Sequence, residues 1–273
     1  MYITKNPAIA RIVEEAGVDR IFVDMEFIGK ECRQGGLDTV QNHHTIEDVE
    51  NIRSVIQTAE LLVRVNPIHD ALVDYPSSEA EIEAVIRAGA DIVMLPFFKT
   101  ITEIQRFLKI VNGRVKTCLL IETPESVSII DEILEQNGID MLHIGLNDLH
   151  LALGKKFMFE LLVDGTVEKL CSRIKAKGIP YGFGGLASLS KGIIPGSMVL
   201  KEHVRLESSM VILSRSFCNA DKISDLEEIR AIFNEGIAEI RKQEQEAIGV
   251  YQYFADNFRA IKDVINKINS GNQ

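Results

Sequence analysis

The sequence lacks the features of disulfide-rich, nucleic-acid-binding and membrane-spanning proteins. Its four cysteines, Cys32, Cys118, Cys171 and Cys218, stand far apart with no CxxC and no Cys/His ligand spacing, which argues against a disulfide framework or a zinc site. Positive charge is scarce: 30 Lys and Arg against 40 Asp and Glu leave a net charge of −10. Partners that need clustered cations, such as a nucleic-acid backbone or an anionic membrane, are therefore not expected. No apolar run approaches the ~18 residues of a membrane span. The N-terminus MYITKNPAIARIVEEAGVD carries Glu14, Glu15 and Asp19 where a signal peptide would be uninterruptedly apolar. A soluble, cytoplasmic protein with free thiols is the expectation. A GxGxxG after a first strand and a P-loop are also missing, which weighs against a doubly wound nucleotide-binding sheet.

What the 273 residues do contain is 46% hydrophobic content, arranged as short β-rich runs alternating with helical patterns. Asn6 and Pro7 open a helix that Gly17 ends, and IFVD (21–24) follows. After a long polar loop, Thr45 and Asp48 read as a capping box for the next helix, which leads to LLVRV (61–65). Helices over 78–88, 102–111 and 124–136 then alternate with strands over 91–95, 117–122 and 141–145. Helices over 166–177 and 194–207 lead to strands PYGFG (180–184) and SMVILS (209–214). With Tyr2–Thr4 these make eight strand candidates, the count of a (β/α)8 TIM barrel with parallel strands and right-handed crossovers. The turns AGVD, AGAD and NGID before successive strands mark one βα unit repeated around a ring. The spacing predicts a barrel catalytic domain over 1–218. Residues 219–273 form a helical extension, too much for a barrel alone, which we expect to make homo-oligomer contacts.

In such barrels the C-terminal ends of the strands carry the active site. That rule selects Asp24, Glu26, Arg64, Asn66, Lys99, Glu122, Asn147, Asp148, Gly184, Gly185 and Arg215. Singly, each reads as a capping or turn residue; Asp148 could be the N-cap of LHLALG, and Lys99 reads as solvated rather than as a Schiff-base lysine. His143, inside a strand, reads as a core histidine, and His150 as lining the mouth. Together, Glu122 and Asp148 make a carboxylate pair with no histidine or cysteine partner, which suits Mg2+ or Mn2+ better than zinc. Such an ion can chelate a 2-oxo acid, and Arg64 can stabilise negative charge on its keto oxygen. Composition and spacing reach a metal-dependent barrel enzyme and stop there.

The segments LLVRVNP (61–67), AGADIVMLP (88–96), LLIETPESV (119–127) and GIDMLHIGLNDLHLALG (138–154) resemble the aldolase/citrate lyase superfamily, specifically the HpcH/HpaI class II pyruvate aldolases. The resemblance covers residues 1 to 218. It implies a (β/α)8 barrel that assembles as a hexamer, a trimer of dimers, with a swapped C-terminal helix. It also implies that Glu122 and Asp148 are metal ligands and Arg64 the enolate-stabilising arginine, while Gly145 and the adjacent amides of Leu146 and Asn147 hold the substrate carboxylate. RVNP is similar as well to the citrate lyase β-subunit and its CoA-thioester lyase relatives. One departure stands out: the aldolases carry Asp-x-Glu-His after the second strand, and this chain has Asp24-Met25-Glu26-Phe27. Phenylalanine cannot move a proton. The loop over 28–44 is long and rich in titratable side chains, so Glu26, His43 or His44 is expected to replace the missing base. The resulting expectation is a carbon–carbon lyase that acts on a 2-oxo acid through a pyruvate enolate. An oxaloacetate-type decarboxylase, a CoA-thioester lyase and a non-catalytic metal- and carboxylate-binding barrel are the alternatives.

Overall fold

A computed structural model of the chain describes residues 1–30, 44–190, 192–220 and 222–271. Eight strands follow one another in sequence order around a closed barrel, as the alternating pattern predicts. In chain order the elements begin with β1 (Tyr2–Ile3), α1 (Pro7–Glu15), β2 (Arg20–Asp24), α2 (Ile46–Arg53), β3 (Glu60–Arg64), α3 (Ser78–Arg87) and β4 (Ile92–Leu95). Next come α4 (Ile101–Val111), β5 (Lys116–Ile121), α5 (Pro124–Ser128), α6 (Ile130–Leu134), β6 (Met141–Ile144), α7 (Leu146–Ala152), α8 (Glu160–Val163) and α9 (Thr166–Ala176). The chain ends with β7 (Tyr181–Leu186), α10 (Gly196–Arg205), β8 (Met210–Leu213), α11 (Leu226–Ala247) and α12 (Tyr251–Ser270). Two compact units divide it, Met1–His143 and Ile144–Gln273.

In the first unit the strands pair in parallel from β1 to β5. The recurring Gly-x-Asp turn has a structural reason. Gly89, just past the cap of α3, and Gly138, in the turn before β6, take positive φ of 95° and 91°. Beyond them, Asp91 accepts from the Leu61 amide at 2.7 Å, and Asp140 accepts from the Thr117 amide at 2.7 Å. Each aspartate thereby satisfies the N–H of the second residue of the neighbouring strand. Thr45 and Asp48 form the expected capping box on α2. The helix expected over 124–136 is instead two short ones that meet at Ile129 (φ −100°, ψ 19°). Ser126 and Ser128 explain the break, because their hydroxyls bond back to the carbonyls of Thr123 and Glu125 and compete with the helical ladder.

In the second unit β7 pairs with β8, and the ladder slips between Gly182 and Gly185. Gly184 sits at φ +53°, and a Cβ there would come 2.7 Å from Leu146 Cδ1. Glycine is needed at that position for both reasons. The C-terminal helix α12 packs on α10: Asn257 Nδ2 donates to the Met198 carbonyl and to Glu202 Oε1, and Ile261 and Ile265 are buried. Part of the apolar surface of this C-terminal helix is thus covered within the chain. Among the described residues no helix is long and apolar enough to cross a membrane.

Candidate active site

The β2–β3 register sets the first contact, because Asp24 is paired directly with Arg64. Each is the last residue of its strand, so the two side chains emerge together. Arg64 holds Asp24 in a fork, Nε donating to Oδ1 and Nη2 to Oδ2, both at 2.8 Å. Its Nη1 lies 3.3 Å from Glu26 Oε2. A guanidinium has five N–H bonds, so those not directed at Asp24 and Glu26 remain for a substrate oxygen. Burial works against the charge on Arg64. The carboxylates of Asp24 and Glu26, joined by Glu122, outweigh it and hold the guanidinium well above its ordinary proton affinity.

A second cation completes the cluster, and the sequence reading missed it. Lys30 is buried with its Nζ 3.2 Å from Asp24 Oδ2 and 3.6 Å from Glu26 Oε2. Arg64 and Lys30 therefore lean on the same carboxylate oxygen. Nothing in the polar run that contains Lys30 signals this; a buried lysine becomes visible only once two buried acids are known to face it.

Of the residues expected to supply a base, Glu26 is buried and engaged by both cations. His44 Nδ1 accepts from the Asp24 backbone N–H at 3.0 Å. That bond occupies its lone pair and puts the ring proton on Nε2, so His44 faces its surroundings as a donor. His43 lies outside the described residues, as does Cys32. Phe27 turns toward Tyr75, edge to face with ring centroids 4.8 Å apart. Along this stretch Asp24 and Glu26 face the cations, whereas Met25 and Phe27 line a separate cavity. The alternation is that of an extended chain.

Asn66, just past β3, braces the turn. Its Oδ1 accepts from the amides of Phe27 and Ile28, both at 2.9 Å, and its Nδ2 donates to Glu81 Oε1 at 2.8 Å. One amide side chain thus replaces the ladder partners that the turn loses beyond β2.

Glu122 follows β5 and precedes Thr123, whose capping box with Ser126 starts α5. Its carboxylate is buried and accepts from the Phe97 amide at 3.0 Å. Phe97 has φ +48°. A bulky residue in the left-handed region stores strain of the kind found at functional sites. Lys99 pairs with Glu125 at 3.1 Å and is half exposed, as expected of a solvated lysine.

In the second unit Gly145 is the N-cap of α7, and Asp148 lies in the first turn, so Asp148 is not the cap. His150 Nδ1 faces the Leu146 carbonyl at 3.1 Å. His143, the last residue of the first unit, is fully buried, as expected of a core histidine. Among the described residues no three His, Cys, Asp or Glu side chains gather into a metal cage.

Comparison with known structures finds the same barrel at low identity. A HpcH/HpaI aldolase/citrate lyase family protein from Burkholderia cenocepacia matches at 16% identity and a TM-score of 0.61, over 88% of this chain and 94% of that one. A HpcH/HpaI aldolase from Desulfitobacterium hafniense matches at 18% identity and 0.59, over 88% and 92%. Macrophomate synthase matches at 16% identity and 0.55, over 78% and 76%. No curated protein sequence matches this chain. The family model for HpcH/HpaI aldolase/citrate lyase matches residues 2–179, which takes in every strand end from Asp24 to Asp148, and the chain belongs to that family.

Proposed function

We propose that the protein is a carbon–carbon lyase that acts on a 2-oxo acid through a pyruvate-type enolate. Family membership supports lyase chemistry. The observation that carries the finer reading is the buried Arg64 guanidinium, held in a fork by Asp24 and still able to donate to a substrate oxygen. A guanidinium fixed before substrate arrives stabilises developing oxyanion charge without reorganising.

Glu122 and Asp148 are the residues we assign to a divalent cation, Mg2+ or Mn2+. The donor chemistry fits a hard ion: carboxylate oxygens only, with Glu122 buried beside a backbone amide. When bound, such an ion supplies a Lewis acid for the 2-oxo acid. The amides at the start of α7, those of Leu146 and Asn147, together with Gly145, are assigned to the substrate carboxylate; a helix N-terminus favours an anion. With Phe27 in place of a proton carrier, we assign proton transfer to Lys30. It stands beside Arg64 on the shared Asp24 oxygen and can protonate an alkoxide or enolate formed there.

Deuterium exchange at the methyl group of pyruvate, with Mg2+ or Mn2+ present, tests this reading. Wild type should exchange, and Glu122→Gln should slow exchange about a hundredfold or more. Exchange that is indifferent to Glu122 would refute the assignment. Decarboxylation of an oxaloacetate-like acid is the second reading. It is favoured by the bond that occupies the His44 lone pair, because losing carbon dioxide needs no base for a hydroxyl proton. Oxaloacetate turnover without pyruvate exchange would select it.

A further inference from the structure

The far side of the β2 extension is an apolar cavity of about 410 Å3, within the range of small-ligand sites. Met25, Phe27, Ile46, Pro76 and Ala84 supply its apolar wall, and His44, Thr45, Tyr75 and Glu81 its polar groups. Glu81, on α3, is only 2% exposed. Its Oε1 receives the Asn66 amide at 3.2 Å, Asn66 Nδ2 at 2.8 Å and the Tyr75 hydroxyl at 3.0 Å. Its Oε2 is buried and, among the described residues, receives no donor.

An oxygen so enclosed should have a partner, since an unmet buried acceptor carries its full desolvation cost. The three donors on Oε1 are arranged as for an anion. What the carboxylate lacks is a donor on the other oxygen, and an acceptor ligand would not provide one. Beside it the rings of Phe27 and Tyr75 pack edge to face, and aromatic faces attract organic cations.

We propose that this cavity binds a small organic ammonium, its N–H groups donating to Glu81 Oε2 and its carbon skeleton lying against Phe27, Tyr75 and the apolar wall. Burial raises the proton affinity of Glu81, a cost that an adjacent cation relieves. The site lies on the opposite side of the chain from Arg64, so the proposal stands whether or not the lyase reading does.

Calorimetric titration of the full-length protein with benzylammonium, benzyl alcohol and benzoate provides the test. Benzylammonium should bind with Kd near or below about 1 mM, and the neutral and anionic analogues about tenfold more weakly or worse. Glu81→Gln replaces Oε2 by a donor and should weaken benzylammonium about tenfold or more. Ala84→Phe fills the cavity and should weaken it as well, so the test does not depend on one variant folding. The proposal is overturned if benzoate or benzyl alcohol binds as tightly as the amine. It is likewise overturned if wild type shows no binding at millimolar amine, or if amine affinity survives in a folded variant of either kind.

Discussion

Each half of the chain buries charge, but in different settings. In Met1–His143 four buried charges, Asp24, Glu26, Lys30 and Glu122, sit at or just past strand ends, and among the described residues Glu81 alone of the buried acids there sits on a helix. In Ile144–Gln273 the fully buried Glu202 sits on a helix: Arg205 Nε donates to it at 2.8 Å and Asn257 Nδ2 at 2.9 Å, tying α10 to α12. Arg205 is in turn occupied by Glu168 and the Phe258 ring. The helix cluster ties helices together, although Arg205 Nη2 has no partner among the described residues. The strand-end cluster keeps N–H bonds of Arg64 in reserve. Neither burial nor an unspent donor alone therefore identifies a functional charge; its place at a strand end of the barrel does.

The sharpest way to break this contrast is Arg64→Met. Exchange should fall by about 10^2 to 10^3-fold, and stability by ~3–5 kcal/mol, because two buried acids lose their main partner. Rate assays and urea titration read the two effects separately. Lys30→Met should cost about 10^2-fold in exchange. Lys30→Arg should restore stability but not the pH profile of the rate, which a purely structural lysine would leave unmoved. On the other half, Glu202→Gln should cost ~2–3 kcal/mol, less than a fully enclosed pair because Arg205 is partly exposed. Its kcat should stay at the wild-type value, and a large drop there would erase the distinction between the halves.

The smallest effect concerns Glu81. Its carboxyl is raised above the ordinary 4.5 in the folded protein, mainly by burial. The neutral form then favours folding below pH 4.5, and that contribution is lost as pH rises through the folded-state value. Wild type should therefore lose stability relative to Glu81→Gln over that rise, as melting curves of the pair would show.

Much of this was legible in the sequence, for physical reasons. Strand ends were visible because apolar runs stop abruptly at polar residues, which picked out Asp24, Glu26, Arg64, Asn66 and Glu122. The Gly-x-Asp turns revealed the repeat, though not that their aspartates close the neighbouring strand. Lys30 was illegible because its burial comes from two acids brought to it by the fold. The break at Ile129 was hidden because serine back-bonding leaves the apolar spacing of a single helix intact.

The alternation of Asp24, Met25, Glu26 and Phe27 also constrains how this gene can change. Point substitutions here alter one face at a time. A single inserted or deleted codon before Asn66 takes hold of the Phe27 and Ile28 amides would exchange the faces, sending acids into the apolar cavity and apolar groups toward the cations. Among descendants of this chain, side chains in this segment should therefore diversify long before its length does.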